Sequence, residues 1–124
     1  VTYISGDTWN VNPVALKRVA QLFCKNERAV LHMQTQGGVP FLIVPVAAVL
    51  VASMRFHAVD VLLNLRYTGP NDIPCDANYT KGQEMGWFEH GSTILVFVPP
   101  GYALAEGIEN GKRMRMGEAL LVKC

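Results

Sequence analysis

Short apolar runs separated by turn-forming residues dominate the pattern of this chain. The runs rich in Val, Ile, Leu and Phe are candidate strands at residues 1–4, 29–34, 41–46, 49–56, 61–65, 93–98 and 119–122. Glycine, proline, asparagine and aspartate lie between most of them, most clearly at residues 37–38, 68–72 and 99–101. Several short strands with such turns predict an all-β fold, mainly an antiparallel sandwich or barrel-like domain.

Residues 12–23 are the one good helix candidate. Asn12 is a favoured capping residue, Pro13 suits the first helical position, and apolar residues follow at spacings of three and four. Because this segment is short, an irregular loop or a single turn remains an alternative. We therefore expect a single domain over residues 1–124, with at most one short helix.

Composition and charge narrow the function classes. The chain has 124 residues, of which 50% are hydrophobic and 17% are charged, and its formal net charge is +1. This charge is too small to indicate a nucleic-acid partner or an electrostatic membrane anchor. Cys24, Cys75 and Cys124 are widely spaced, which predicts reduced thiols rather than a disulfide framework or a zinc site.

The most apolar segment, residues 39–54, contains Pro40 and Pro45 and is shorter than a membrane-spanning helix requires. Its Val, Ile and Leu content instead predicts a strand that is buried on both faces. The chain begins at Val1 rather than at a methionine, in the middle of an apparent strand. We therefore expect it to be a fragment of something longer.

The tripeptide Gly91-Ser92-Thr93, directly before an apolar strand, is the main chemical signal. A serine hydroxyl can attack the carbonyl of the preceding residue and convert the amide to an ester, and glycine tolerates the strained turn that this attack needs. β-Elimination and loss of ammonia would then leave a pyruvoyl group at position 92. Its ketone can form a Schiff base with an amine substrate, which no unmodified side chain can do.

The surroundings of this tripeptide carry further sequence patterns. Residues 81–93 read Lys-Gly-Gln-Glu-Met-Gly-Trp-Phe-Glu-His-Gly-Ser-Thr, and residues 115–120 read Arg-Met-Gly-Glu-Ala-Leu. Upstream, residues 11–13 read Val-Asn-Pro, and residues 22–30 read Leu-Phe-Cys-Lys-Asn-Glu-Arg-Ala-Val. Taken in their order along the chain, these stretches closely resemble the phosphatidylserine decarboxylase family, although Ala119 stands where the family has proline.

The resemblance implies a pyruvoyl-dependent decarboxylase that converts phosphatidylserine to phosphatidylethanolamine after self-cleavage between Gly91 and Ser92. Ser92 would be the catalytic residue and the source of the covalent pyruvoyl cofactor. Residues 1–91 would be the end of the β subunit, and residues 92–124 would be the pyruvoyl α subunit. The two cleaved chains would stay associated, a homodimer is left open, and no metal or nucleic acid is implied.

Residues around the cleavage site have weaker assignments. Thr93 is a candidate hydrogen-bonding residue of the turn or a plain strand residue, and His90 is a candidate proton donor. Phe88 is a candidate wall of the substrate pocket or a core residue. Glu84 belongs to the matched pattern, in which the Gly82 to Gly86 spacing predicts either a bent approach to the cleavage loop or a plain hairpin turn.

Two upstream features add expectations. The Asn-Glu-Arg segment predicts either a brace for the site, through a salt bridge of Glu27 or Arg28, or a solvated turn. His32 and His57 are isolated among apolar residues and are expected to be structural. They do not match the family's catalytic histidine motif, which would lie before Val1 together with an acidic partner.

The family resemblance also predicts a location and leaves alternatives. Hydrophobic N-terminal helices hold family members to the membrane, so the expected location is peripheral, on the cytoplasmic side of the cell membrane. A soluble relative that decarboxylates a free amino acid stays open as an alternative substrate class. A non-catalytic β-domain is the alternative from a different functional class.

Overall fold

The computed structural model of the protein describes residues 1–4, 27–47, 53–64, 68–89 and 92–124. Within these ranges the chain forms strands and no helix, and all neighbouring strands pair antiparallel. The strands are β1 (Thr2–Ile4), β2 (Arg28–Gln34), β3 (Pro40–Val46), β4 (Ser53–Phe56), β5 (Val59–Asn64), β6 (Gly86–Phe88), β7 (Thr93–Phe97), β8 (Tyr102–Leu104) and β9 (Leu121–Lys123).

The largest sheet has the strand order β1-β2-β3-β7. Strand β2 shows the period-two burial of a strand with one inward face, since Ala29 and Leu31 are buried while the residues between and beyond them are more exposed. Strand β3 is central, and its last three residues, Val44 to Val46, are all buried. Burial on both faces, predicted for residues 39–54, thus holds for the end of β3, whereas Pro40 at its start is exposed and residues 48–52 lie outside the described residues.

Pro45 interrupts one side of this central strand. The ladder between β2 and β3 pairs Arg28 with Val46 and resumes at Leu31 with Ile43, so Pro45 and Val44 have no partner in β2 within this ladder. Proline has no backbone N–H to donate to a neighbouring strand, which explains the gap. On the other side, β3 and β7 pair without a break from Leu42 to Val46.

The second sheet has the order β5-β4-β6, and β8 and β9 form a separate two-stranded sheet. A tight turn at residues 57–58 joins β4 to β5, and their register shifts between Arg55 and Phe56. The core cluster lies where the first two sheets meet. It consists of Ala29, Ala47, Met54 and Leu63, each with no exposed surface.

The structure confirms the all-β prediction, although the sheets do not close into a barrel. The predicted helix at residues 12–23 and part of the predicted strand at 49–56 lie outside the described residues. The sequence prediction missed β6 and β8, and it began β9 two residues too early and ended it one residue too early. In the described ranges, no helix is both long enough and apolar enough to cross a membrane.

Candidate active site at the start of strand β7

Ser92 lies directly before β7 and is half-buried. Its hydroxyl donates a hydrogen bond to the carbonyl oxygen of Val46, at the end of the central strand. Thr93, the first residue of β7, pairs with the same Val46 in the β3–β7 ladder. Ser92 therefore sits at the edge of an ordered sheet, with its hydroxyl directed to a backbone acceptor.

The proposed cleavage point falls on a connection between two sheets. Strand β6 ends at Phe88 and belongs to the sheet with β4 and β5, whereas β7 begins at Thr93 and belongs to the sheet with β1, β2 and β3. His90 and Gly91, two of the predicted site residues, lie outside the described residues. The connection itself is short, because only a few residues separate the two strands.

Phe88 and Glu84 have other partners in the structure. Phe88 is half-buried, pairs with Met54 and packs against the core cluster, so the core alternative is confirmed for it. The Glu84 carboxylate is exposed, and its Oε2 lies 3.4 Å from Nε2 of His57. The His57 ring also stacks at an angle on Trp87, with ring centroids 5.4 Å apart. Glu84 thus helps to hold its loop to the β4–β5 turn.

Gly82 and Gly86 each occupy a position that favours glycine, for different structural reasons. Gly82 has a φ of +80°, which favours glycine in the turn at residues 81–82. Gly86 begins β6, where a Cβ atom would lie only 2.1 Å from the carbonyl oxygen of Arg55 in β4. The spacing therefore reflects one turn and one close approach between strands.

Comparison with known proteins gives the family of this chain. The family model described as phosphatidylserine decarboxylase matches residues 1–122. This chain belongs to the phosphatidylserine decarboxylase family. The match includes β7 and the residues on both sides of Ser92.

Similar curated proteins of this family carry the name phosphatidylserine decarboxylase proenzyme. The protein from Brevibacillus brevis is 33% identical over 98% of this chain and 44% of its own length. Those from Saccharophagus degradans and Vibrio campbellii are 36% and 34% identical, over 97% and 93% of this chain and 43% and 42% of their own lengths. The chain thus spans less than half the length of these relatives. No solved structure matches it.

Glu27 is a charged residue of this phosphatidylserine decarboxylase family chain whose burial the sequence analysis did not predict. Its side chain has no exposed surface, and neither carboxylate oxygen has a hydrogen-bond partner among the described residues. The predicted solvated turn is therefore wrong for Glu27, and no salt bridge of Glu27 is present in the described part of the chain. A signal was available, because Glu27 is in phase with the inward-facing Ala29 and Leu31.

Burial raises the pKa of the Glu27 carboxyl from its ordinary value of 4.5 to about 7. Strands β3 and β7 carry no ionisable side chain. Arg28 follows Glu27 and so lies on the opposite face of β2, and Arg55 of β4 is exposed, with its Nε 3.9 Å from Glu89 Oε1. Desolvation is thus the cause of the shift.

This shift predicts that stability falls as the pH rises from about 4.5 to about 7. In that range Glu27 is ionised in the unfolded chain but still protonated in the folded chain. The free energy of unfolding therefore decreases with each pH unit. The full cost above the folded pKa is on the order of 3 kcal/mol. Urea unfolding at pH 5 and pH 8 should show this loss, and the same change in Glu27→Gln would contradict it.

The described residues contain no group of three or more His, Cys, Asp or Glu side chains placed to hold a metal ion. His32 is exposed, and its Nε2 lies 3.3 Å from the Thr2 hydroxyl. Cys75 and Cys124 are free and exposed, while Cys24 lies outside the described residues.

Proposed function

We propose that the protein containing this chain is a pyruvoyl-dependent decarboxylase that converts phosphatidylserine to phosphatidylethanolamine and becomes active by self-cleavage between Gly91 and Ser92. The observation that carries the proposal is the position of Ser92, whose half-buried hydroxyl lies at the junction between two sheets in a chain of this family. The name proenzyme, which the similar curated proteins carry, supports activation by cleavage.

The hydrogen bond of the Ser92 hydroxyl is compatible with a role as a nucleophile. The hydroxyl donates to Val46, which leaves its oxygen lone pairs available. The acceptor is a backbone carbonyl, which is too weak a base to take the proton. Cleavage therefore needs a further proton-accepting group, whereas Val46 supplies orientation.

Residue 92 would remain in place after the chain is cut. Strand β7 stays paired with β3 from Thr93 to Phe97, and β8 and β9 pair with each other within the downstream piece. The turns of the two pieces also meet, since a Cβ on Gly82 would lie 3.8 Å from the Cα of Gly117. These contacts support a lasting association of residues 1–91 with residues 92–124.

A pyruvoyl group fits position 92. This residue is a serine, and cleavage would make it the N-terminal residue of the smaller piece. When present, such a group supplies an electrophilic ketone that condenses with the substrate amine and withdraws electrons as carbon dioxide leaves. The residues of this chain hold that end in the sheet through Thr93 and Val46. They also place it beside apolar surface, as the side chain of Ile94 is 56% exposed.

The exposed apolar residues favour a lipid over a free amino acid as the substrate. Trp87 and Ile94 lie on either side of the junction along the chain, and both are exposed. Apolar surface close to a reactive position suits the glycerol and acyl parts of a phospholipid. We further propose a peripheral location on the cytoplasmic side of the cell membrane, reached through the N-terminal region of the full protein.

Denaturing mass spectrometry of the full-length protein tests the function. We expect two pieces that divide between residues 91 and 92, with the N-terminus of the smaller piece blocked and its mass increased by borohydride reduction. The processed protein should release carbon dioxide from phosphatidylserine in detergent micelles and much less from free serine. A full-length protein that remains intact, or a smaller piece that borohydride does not reduce, would refute the proposal.

A further inference from the structure

An apolar cavity lies at the opposite end of β7 from Ser92. Its volume is about 160 Å³, and it lies between the turn that joins β2 to β3, the end of β7 and the β8–β9 sheet. None of the described lining residues exposes polar surface to it; the lining side chains include Val39, Phe41, Val96, Val98, Tyr102 and Leu121. The space therefore suits a hydrocarbon group.

The size of the cavity is enough for binding. Apolar cavities of about 150 Å³ stay free of water and take up small apolar molecules such as benzene or xenon. Each methylene group that leaves water for such a site strengthens binding by about fourfold. A short stretch of hydrocarbon in this cavity would thus contribute measurably to the affinity for a ligand.

The cavity and the residues that follow Ser92 lie on one face of the main sheet. Alternate residues of a strand point to the same face, so steps of two from Ser92 lead to Ile94, Val96 and Val98. The lining of the cavity agrees with this alternation, because it includes both Val96 and Val98. Every step after Ser92 is therefore apolar, and the last two reach the cavity.

The neighbouring strand continues this apolar path. Ile94 pairs with Pro45 and Val96 pairs with Ile43, and residues that are opposite each other in a sheet share a face. The path is open at its start, since the side chain of Ile94 is 56% exposed. An apolar chain can therefore lie along β7 between residue 92 and the cavity.

The distances along this path match the length of a phospholipid. A strand advances by about 3.4 Å per residue, so Val96 and Val98 are roughly 14 and 20 Å along β7 from residue 92. One leaflet of a bilayer is about 20 Å thick, of which about 15 Å is hydrocarbon. A phospholipid whose amine lies at residue 92 can therefore reach the cavity with one long acyl chain, whereas a chain of half that length ends before it.

We propose that the cavity binds the end of one acyl chain of the phospholipid substrate and so sets the preference for chain length, an inference that rests on the proposed function. The chain follows Ile94 along β7, and its end lies between Phe41 and Leu121. Only substrates with long chains gain the affinity of this contact. The headgroup and the reacting atoms are the same for every chain length.

The test compares kcat/KM of the processed full-length protein for dipalmitoyl and dioctanoyl phosphatidylserine, at equal mole fractions in detergent micelles. The wild-type protein should favour the dipalmitoyl lipid by about tenfold or more, the effect of burying roughly two methylene groups. Val98→Phe fills the cavity with a phenyl ring and should bring this ratio close to one. Val122→Phe, the same change at an exposed position outside the cavity, is the matched control and should keep the wild-type ratio.

The ratio separates chain binding from a merely structural effect, because a general loss of active protein lowers both rates equally. A wild-type ratio in Val98→Phe, or equal kcat/KM for the two lipids in the wild-type protein, overturns the role of the cavity alone. A wild-type protein that releases carbon dioxide from neither lipid refutes the proposed function itself.

Photolabelling identifies the binding site without any substitution, and it also applies if Val98→Phe does not fold. The probe is a phosphatidylserine with a diazirine at the end of one acyl chain, bound to the full-length protein. We expect labelled peptides that contain Phe41, Tyr102 or Leu121, and we expect an excess of dipalmitoyl phosphatidylserine to prevent the labelling. Labelling confined to other parts of the protein would overturn the inference.

Discussion

Replacing Ser92 by alanine is expected to abolish both chain cleavage and decarboxylation in the full-length protein. The substitution removes the attacking hydroxyl and with it the source of the pyruvoyl group. The loss of activity should be at least about a thousand-fold, as for other enzymes that lose their nucleophile. Denaturing gels and carbon dioxide release from phosphatidylserine measure the two effects.

This loss can be separated from a loss of folding. Ser92→Ala removes one hydrogen bond, to the carbonyl of Val46, at a cost of roughly 1 kcal/mol. The variant should therefore remain folded as the uncut precursor. Ser53→Ala, a matched change at a half-buried serine in β4, should cleave normally. Decarboxylation that persists in Ser92→Ala would exclude the proposed cofactor.

Replacing Gly86 by alanine is expected to cause the largest loss of stability among single-methyl additions at the described glycines. The new Cβ would lie 2.1 Å from the carbonyl oxygen of Arg55 and 3.0 Å from the Cα of Phe56. Both are backbone atoms of β4, so the two strands must separate for the methyl group to fit. We expect a loss of about 3 kcal/mol and a decrease in melting temperature of roughly 10 °C.

Gly37→Ala is the matched control for this change. A Cβ there would have only the Thr35 hydroxyl oxygen near it, at 3.9 Å, an ordinary contact. Thermal unfolding of the two variants in the uncut Ser92→Ala background compares their stabilities without interference from cleavage. Equal melting temperatures for Gly86→Ala and Gly37→Ala would show that β6 does not approach β4 as described.

The longer strands could be predicted because each contains its own signal. Strands β2, β3 and β7 combine β-branched and apolar residues over five or more positions. Strands β6 and β8 have only three residues each, too few to show an alternating pattern. Their formation depends on pairing with β4 and β9, which lie far away in the sequence or beyond a long loop.

The candidate site was only partly predictable for a similar reason. Ser92 could be identified from its neighbours along the chain. The burial of Glu27, in contrast, depends on which strands lie side by side. No local pattern shows that the start of β2 and the start of β7 lie on either side of the end of β3. Phe88 could be assigned to the core only once its pairing with Met54 was known.

The position of β7 has a consequence for how the processed protein regains its structure. Before cleavage, β7 finds β3 within a single chain, so refolding does not depend on protein concentration. The proposed cleavage would place one edge of the main sheet on a second polypeptide. Recovery from denaturant then becomes a bimolecular reaction, which slows on dilution and is governed by mass action.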